Sequence, residues 1–89
     1  MSWWVYILEC RDGTLYTGCT DDIPRRLAAH NAGRGAKYTH GRTPVALRYR
    51  EEQPDRSAAL RREAAIKRLT RTEKQALIEG YEKEKQNEK

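Results

Sequence analysis

The first twenty residues contain two runs of strand-forming side chains joined by a very short connection. Residues 3–10 (WWVYILEC) are rich in aromatic and β-branched types, and residues 14–19 (TLYTGC) form a second run of the same kind. Residues 11–13 (RDG) between them have the composition of a tight turn. Strands joined this closely must be antiparallel, so the sequence predicts a hairpin at the start of an antiparallel sheet.

The geometry of this turn decides which side chains share a face of the hairpin. A three-residue loop with Gly13 in the left-handed conformation would pair Cys10 with Thr14, and even-numbered residues of both strands would then lie on one face. Tyr6 and Tyr16 would project together. A two-residue turn would instead place the two phenols on opposite faces.

Helix and strand signals alternate along the rest of the chain. Asp22 can cap a first helix, with Pro24 in its first turn, that stops at Gly33. A third strand is predicted at residues 44–50 (PVALRYR), and a second helix follows Asp55 and ends near Thr70. We therefore predict a small α/β domain of the α+β sandwich type, with helices flanking a three-stranded antiparallel sheet.

A third helix is predicted near the end of the chain. Residues 70–73 (TRTE) have the spacing of a capping box, which predicts a helix through Ile78 that stops at Gly80. The last eight residues (EKEKQNEK) contain no apolar side chain and are expected to be disordered. The 89 residues leave room for one domain, which we place at residues 1–80, followed by a charged tail at 81–89.

Cysteine usage and hydropathy predict a cytoplasmic protein. No window approaches the ~20 apolar residues of a membrane span, and the first residues lack the basic segment and cleavage site of a signal peptide. Cys10 and Cys19 are too few for a disulfide framework, so we expect both to be reduced. The two cysteines and two histidines also lack the spacing of zinc ligands.

Positive charge is concentrated in the middle of the chain. The net charge is +5, and no acidic residue occurs between Asp22 and Glu51. A block of one sign on an otherwise balanced chain indicates a surface that faces a polyanion, although a solvated basic surface with no partner would have the same composition. The block contains Arg25, Arg26, Arg34, Lys37, Arg42, Arg48 and Arg50, with His30 and His40.

Several polar residues stand in a distinctive order on the predicted elements. Residues 4–6 (WVY) and 16–18 (YTG) lie on the two hairpin strands, Arg26 and His30 are four apart on one side of the first helix, and Glu63 lies on the second helix. In this order the chain resembles the GIY-YIG nuclease family over nearly its whole length. Within that family it resembles the very small bacterial members that consist of this domain alone.

The chain departs from the family pattern at two positions. Trp4 stands where the first triplet has glycine, and Thr17 stands where the second triplet has isoleucine. A bulky ring at the first position changes how closely a ligand can approach the backbone there. Thr20 follows the second triplet at the usual interval, and the polar residues of the pattern are all present.

The resemblance implies Mg²⁺- or Mn²⁺-dependent hydrolysis of DNA, with Glu63 as the metal-binding residue. As the only acid between Asp55 and Glu73, it could hold one Mg²⁺ together with waters and substrate phosphate oxygens. An alternative is that Glu63 only pairs with Lys67 four residues later, which would contribute ~0.3 to 0.5 kcal/mol.

The resemblance also assigns roles to the other four residues. Arg26 presents a planar charged fork that suits phosphate, and it would stabilise the transition state. Tyr6 would be the general base, with Tyr16 sharing or supporting that role, and His30 would orient or deprotonate the phenol. A tyrosine pKa near ~10 must fall by about 3 to give a phenolate at pH 7, a cost of roughly 4 kcal/mol. If no nearby cation lowers the pKa in this way, both tyrosines are core aromatics.

The segment after the first helix mixes cations with one aromatic ring. This composition suits contacts to a nucleic-acid backbone and stacking on a base, although a mobile solvated loop would look the same. The predicted nucleic-acid contacts are Arg25, Arg34, Lys37, Tyr38, Arg42 and Lys67.

Together these features predict a metal-dependent DNA endonuclease that acts in DNA repair or processing, with RNA left open as a substrate. The five site residues, Tyr6, Tyr16, Arg26, His30 and Glu63, are expected to meet on one face of the sheet. The alternative is a non-catalytic nucleic-acid-binding module, or an accessory subunit, with the same fold. We expect a monomer or weak homodimer, and either DNA shape or a protein partner would supply specificity.

Overall fold

Three antiparallel strands and three helices make up the computed structural model, which describes residues 2–87. The central strand of the sheet is the first in the chain, because the strand order is β2-β1-β3. The prediction of a three-stranded antiparallel sheet flanked by helices is confirmed. In chain order the elements are β1 (Trp3–Glu9), β2 (Leu15–Thr20), α1 (Ile23–Asn31), a 3₁₀ turn (Lys37–Thr39), β3 (Ala46–Gln53), α2 (Arg56–Lys67) and α3 (Arg71–Asn87).

The hairpin between β1 and β2 closes through a three-residue loop, one of the two alternatives that the sequence allowed. The Cys10 N–H donates to the Thr14 carbonyl at 2.8 Å, and the Gly13 N–H donates to the Cys10 carbonyl at 2.9 Å. Gly13 has a φ of 84°, which only glycine adopts without strain. This register places Tyr6 and Tyr16 on the same face of the sheet, as predicted.

The pairing of β1 with β3 contains a bulge that redirects side chains. Ile7 pairs with Tyr49 but the next residue, Leu8, pairs with Leu47, so Arg48 is an extra residue on β3. The bulge lets Leu47 and Tyr49 pack on opposite faces although they are two residues apart. The strand covers Ala46–Gln53 rather than the predicted residues 44–50.

Helices cover both faces of the sheet, and each face has its own apolar cluster. On one face α2 and α3 pack against odd-numbered residues of β1, and on the other face α1 packs against even-numbered ones. The first cluster contains Val5, Ile7, Ala59, Ile66 and Ile78. The second contains Tyr6, Leu8, Cys10, Ile23 and Val45.

The helices begin at the predicted caps. Asp22 and Asp55 each accept a hydrogen bond from the backbone N–H three residues later, at 3.1 and 2.8 Å. Thr70 and Glu73 form a reciprocal capping box, with distances of 2.9 and 3.2 Å. Each such cap contributes about 0.5–2 kcal/mol to stability, so local sequence alone fixes where these helices start.

The prediction that α3 stops at Gly80 is wrong. The helix continues to Asn87, so residues 81–87 are helical rather than a disordered tail. Residues 88–89 of the predicted tail lie outside the described residues. The limit of the folded domain at residue 80 stays a prediction.

Contacts with β3 explain why α3 continues. The Tyr81 ring packs edge-on against Tyr49, with centroids 5.7 Å apart. The Arg48 guanidinium at the bulge also pairs with Glu82 at 2.8 Å. These contacts offset the ~1 kcal/mol that an internal glycine costs a helix relative to alanine. Among the described residues, no helix combines the length and apolar character that crossing a membrane requires.

Candidate active site

Four of the five predicted site residues meet on the sheet face that α1 covers. Tyr6 and Tyr16 project from the hairpin, and Arg26 and His30 lie one turn apart on α1. The ring centroids are 6.5 Å apart for the two tyrosines, 6.2 Å for Tyr6 and His30, and 5.4 Å for Tyr16 and His30. The register of the hairpin and the phase of α1 together produce this arrangement.

A directed chain of hydrogen bonds runs through the fully buried His30 ring. Its Nε2 lies 3.2 Å from the Tyr6 hydroxyl, and its Nδ1 lies 2.8 Å from the Thr39 hydroxyl. Thr39 donates its own hydroxyl proton to the Ala36 carbonyl at 2.9 Å. When the Thr39 hydroxyl donates to Ala36, its oxygen can only accept from Nδ1–H, and Nε2 can then accept from Tyr6.

Burial keeps both Tyr6 and His30 neutral at pH 7. It raises the pKa of Tyr6 to about 12, although the neighbouring Arg26 side chain acts in the opposite direction. Burial also lowers the pKa of His30 below 6.5, and the positive charge of Arg26 lowers it further. The raised pKa of Tyr6 is the reverse of the fall that a resting phenolate requires.

Arg26 connects the phenols to an open cavity beside the end of β2. Its side chain is half-buried, next to Tyr6, and the same guanidinium lines a cavity of about 310 Å³. Arg25, Cys19 and Trp3 also line this cavity. The guanidinium can therefore reach a bound anion while it contacts the buried tyrosine.

Glu63 does not share the face of the other four residues. It belongs to α2, which packs on the opposite face, so the prediction of one common face is wrong for this residue. Glu63 and Arg26 instead both shift the pKa of the Cys19 thiol, on the edge strand β2. Burial is the main cause of the raised pKa of the Cys19 thiol, the Glu63 carboxylate raises it further, and Arg26 is among the cations that lower it.

The Glu63 carboxylate is more enclosed than an ordinary surface carboxylate. Its side chain is 18% exposed, and Lys67 lies 3.8 Å away with 52% exposure. The pairing of Glu63 with Lys67, which the sequence offered as an alternative to metal binding, is therefore present. A pair so exposed on one side contributes at most a few tenths of a kcal/mol, which leaves the carboxylate able to exchange Lys67 for another cation.

Gly18 provides the space that the Tyr6 phenol occupies. The two residues pair across the hairpin, and a Cβ atom at Gly18 would lie 2.5 Å from the Tyr6 hydroxyl and 3.2 Å from a ring carbon of Tyr16. Any larger residue would displace a buried phenol. The glycine of the second triplet is thus a packing requirement of the site.

Both departures from the family pattern have defined places in the sheet. Trp4 packs at the border of the same apolar cluster, with the Arg50 guanidinium 5.1 Å above its ring. Thr17 is 2% exposed, and its hydroxyl has no hydrogen-bond partner among residues 2–87.

The basic segment after α1 contacts the hairpin of β1 and β2. The Tyr38 ring stacks on Tyr16 with centroids 5.7 Å apart, and the Arg42 guanidinium lies 4.6 Å above Tyr38. Arg42 also pairs with Asp12 at 3.0 Å. This part of the segment has defined contacts, which favours a fixed surface over the alternative of a loose solvated loop.

The other predicted nucleic-acid contacts have exposed side chains at the surface. Arg25 lies beside Arg26 at the cavity, and Lys67 lies beside Glu63. Their contact with nucleic acid stays a prediction. The exposed residues of this group are Arg25, Arg34, Lys37 and Lys67.

Sequence reasoning missed two residues that hold His30 in place. The Thr39 hydroxyl lies 2.8 Å from Nδ1, and Gly35 lies so close that a Cβ atom there would collide with the imidazole. Neither residue belongs to a periodic pattern. The only signal in the sequence is that a glycine and a hydroxyl residue follow the end of α1 within ten residues of His30.

Comparisons with known proteins agree with this fold. The model of the family described as the GIY-YIG catalytic domain matches residues 2–76. A UPF0213 protein of Halobacterium salinarum is 60% identical over 74 residues, covering 83% of this chain and 96% of the relative. A UPF0213 protein of Desulfotalea psychrophila is 53% identical over 83 residues, covering 92% and 76%.

Two solved structures are also similar. The solution NMR structure of a UPF0213 protein from Bacillus halodurans is 46% identical, with a TM-score of 0.57, and the match covers 89% of this chain and 84% of that one. The solution NMR structure of a protein from E. faecalis is 40% identical, with a TM-score of 0.62 and coverage of 92% and 88%.

Proposed function

Because this chain belongs to the GIY-YIG family, a nuclease superfamily, we propose that it hydrolyses phosphodiester bonds in DNA with the help of a divalent cation, Mg²⁺ or Mn²⁺. The convergence of Tyr6, His30 and Arg26 beside an open cavity is the observation that supports this proposal. Hydrolysis requires an acceptor for a water proton and a cation for the phosphoryl oxygens, and these residues are suited to both needs.

Arg26 is proposed to bind the scissile phosphate. Its guanidinium is permanently charged, and its fork matches two phosphoryl oxygens, on which negative charge grows in the transition state. The side chain lies against the buried phenol, so a phosphate that it holds would be close to the proposed proton acceptor.

Tyr6 is proposed to accept the water proton without first becoming a phenolate. With a pKa of about 12, a phenolate at pH 7 would cost roughly 7 kcal/mol. The hydrogen bond to Nε2 of His30 offers another route. As the water O–H bond breaks, its proton passes to the Tyr6 oxygen while the Tyr6 proton passes to His30. The hydroxide attacks phosphorus, the phosphorus bond to the leaving oxygen breaks, and that oxygen takes a proton from solvent. His30 then returns its extra proton through Tyr6 to solvent, which restores both groups.

Glu63 is proposed to hold the divalent cation. No group of three or more His, Cys, Asp or Glu side chains able to hold a metal occurs among residues 2–87, so the remaining ligands would be waters and phosphate oxygens, as Mg²⁺ commonly has. An enclosed carboxylate beside a weakly paired lysine fits that role. When bound, the cation would neutralise charge on the phosphoryl and leaving oxygens.

The dependence of cleavage on metal tests the proposal. We expect nicking of plasmid DNA that requires Mg²⁺ or Mn²⁺, stops in EDTA and falls by ~10²-fold or more in Glu63→Gln, because the cation would lose its proposed protein ligand. Glu79→Gln, at an exposed position on α3, is the matched control and should cleave at the unaltered rate. DNA that is bound equally well in EDTA and never cut would instead identify a non-catalytic nucleic-acid-binding module.

The choice of substrate is proposed to depend on DNA structure, in repair or processing of DNA. Phosphate contacts from Arg25, Lys37 and other exposed basic residues fix position without reading bases. A cleavage screen over flaps, forks, junctions and plasmid, with RNA copies of each, would show which structure is preferred. Addition of cell extract would show whether a protein partner alters that preference.

The proposed proton transfer predicts a particular pH profile. The active form has neutral His30 and protonated Tyr6. Because the pKa of His30 is lowered from 6.5, cleavage should fall only below that pH, as the imidazole becomes protonated and can no longer accept. Because the pKa of Tyr6 is about 12, the rate should be nearly constant from about pH 7 to 9.

The measurement is the single-turnover rate at saturating DNA and metal, so that binding does not shape the profile. A resting phenolate would give a different result, because its population would rise about tenfold for each pH unit. A rate that climbs in this way from pH 7 to 9 would contradict transfer through His30.

A further inference from the structure

We propose that Thr39 is a positioning residue that fixes the tautomer of His30, so that the imidazole can accept the Tyr6 proton. The inference rests on the proposed function, because it concerns the proton transfer at the same site. Thr39 is 1% exposed and lies nine residues beyond His30, on the 3₁₀ turn. Its contact with the imidazole is therefore shielded from water.

The tautomer of His30 depends on which ring nitrogen donates a hydrogen bond and which accepts one. Within residues 2–87 the His30 ring has two hydrogen-bond partners, Tyr6 at Nε2 and Thr39 at Nδ1. A neutral imidazole carries one N–H, so one nitrogen donates and the other accepts. Which nitrogen carries the proton depends on whether Thr39 accepts or donates.

The Ala36 carbonyl favours one direction for the hydrogen bond between Thr39 and His30. It accepts the Thr39 hydroxyl proton at 2.9 Å and the Thr39 backbone N–H at 3.1 Å. If the hydroxyl turned toward Nδ1 instead, the short His30 contact would survive but a part-buried side-chain bond to the carbonyl would be lost. The arrangement therefore favours the tautomer with the proton on Nδ1 and an open lone pair on Nε2.

The other tautomer would block the proposed reaction. With the proton on Nε2, His30 would donate to the Tyr6 oxygen and could not take the phenol proton as a water molecule is deprotonated. The hydroxyl of Thr39 thus acts on the reaction through His30 and does not touch the reacting atoms. Gly35 supports the same orientation, because the imidazole packs where a side chain at that position would lie.

The test compares three substitutions at Thr39 in the full chain. Thr39→Val has nearly the same shape but lacks the hydroxyl, Thr39→Ala is a second variant without it, and Thr39→Ser retains it. The readout is the tautomer of His30, measured by NMR of ¹⁵N-labelled histidine. The chain has two histidines, so His40→Gln assigns the signals.

We expect Nδ1–H in the unaltered chain and in Thr39→Ser, and a shift to Nε2–H in Thr39→Val and Thr39→Ala. The cleavage rate should fall by ~10²-fold in the two variants without the hydroxyl and recover in Thr39→Ser. A matching amide spectrum would show that each variant is folded.

Two results would overturn the proposal. One is the Nε2–H tautomer in the unaltered chain, or an unchanged tautomer in both variants without the hydroxyl. The other is a changed tautomer with the full rate of cleavage. A chain that shows the expected tautomers but never cuts DNA would overturn both the positioning role and the proposed nuclease function, whereas failure of the tautomer assignment alone would leave that function standing.

Discussion

Arg26→Ala should lower the single-turnover rate of DNA cleavage by ~10²- to 10³-fold, the usual loss when one charge-stabilising donor is removed from a transition state. The guanidinium lines the open cavity and lies against Tyr6, so its removal affects both phosphate binding and the buried phenol. Arg26→Lys retains the charge but not the two-pronged geometry, and we expect it to recover only part of the rate.

Arg25→Ala is the matched control for this loss. Arg25 is the exposed neighbour of Arg26 on the same helix and at the same cavity. We expect weaker binding and a smaller dependence of binding on salt, with a nearly unaltered rate at saturating DNA. Equal rate losses in the two variants would show that Arg26 contributes only general positive charge.

Tyr6→Phe should reduce cleavage by ~10²- to 10⁴-fold, because the proposed acceptor of the water proton is lost. It should also lower the free energy of unfolding by about 1–3 kcal/mol, since the buried Nε2 of His30 loses its donor. The rate is measured by single-turnover cleavage and the stability by denaturant unfolding. The loss in rate should far exceed any effect of partial unfolding.

Tyr49→Phe is the control for the loss of a strand phenol. The pKa of Tyr49 is also raised to about 12, mainly by burial, and its hydroxyl donates to Glu51 at 2.9 Å. Tyr49 packs on the opposite face of the sheet, so this variant should cleave DNA normally. If Tyr6→Phe retained activity while Tyr16→Phe lost it, the role of general base would belong to Tyr16.

Local sequence determined the parts of the fold that depend on neighbouring residues. The hairpin register follows from one glycine, Gly13, whose positive φ closes a three-residue loop. The helix starts follow from caps whose partners lie three residues away, such as Asp22 and Asp55. These interactions act within one turn of the chain, so they can be recognised before the tertiary structure is known.

The parts that were missed depend on contacts between distant residues. The continuation of α3 past Gly80 requires Tyr81 to meet Tyr49, thirty-two residues earlier in the chain, and Glu82 to meet the bulge at Arg48. The sequence of the last turns contains no apolar run that would indicate this. The bulge itself depends on which apolar residues face each cluster, which is decided by the assembled sheet.

In the candidate site, too, some features follow from local sequence and others depend on contacts between distant residues. Family resemblance selected the five residues as candidates, and the three-residue turn, one of two that the sequence allowed, places both tyrosines on one face. The side of the sheet on which Glu63 lies depends on the packing of α2, and the raised pKa of Tyr6 depends on how completely the apolar cluster encloses it. Neither the side of the sheet on which Glu63 lies nor the pKa of Tyr6 can be predicted from the spacing of residues along the chain.

Cys19 lies where a probe could report the binding of the cation and the nucleic acid of the proposed reaction. Its thiol lines the cavity and senses both Glu63 and Arg26, whereas Cys10 is 4% exposed and shielded from reagents. A fluorinated tag could be attached selectively to Cys19 of the native chain at mildly alkaline pH, because its raised pKa delays alkylation at neutral pH. Its ¹⁹F resonance would then register the arrival of cation and oligonucleotide separately, before any bond is cut.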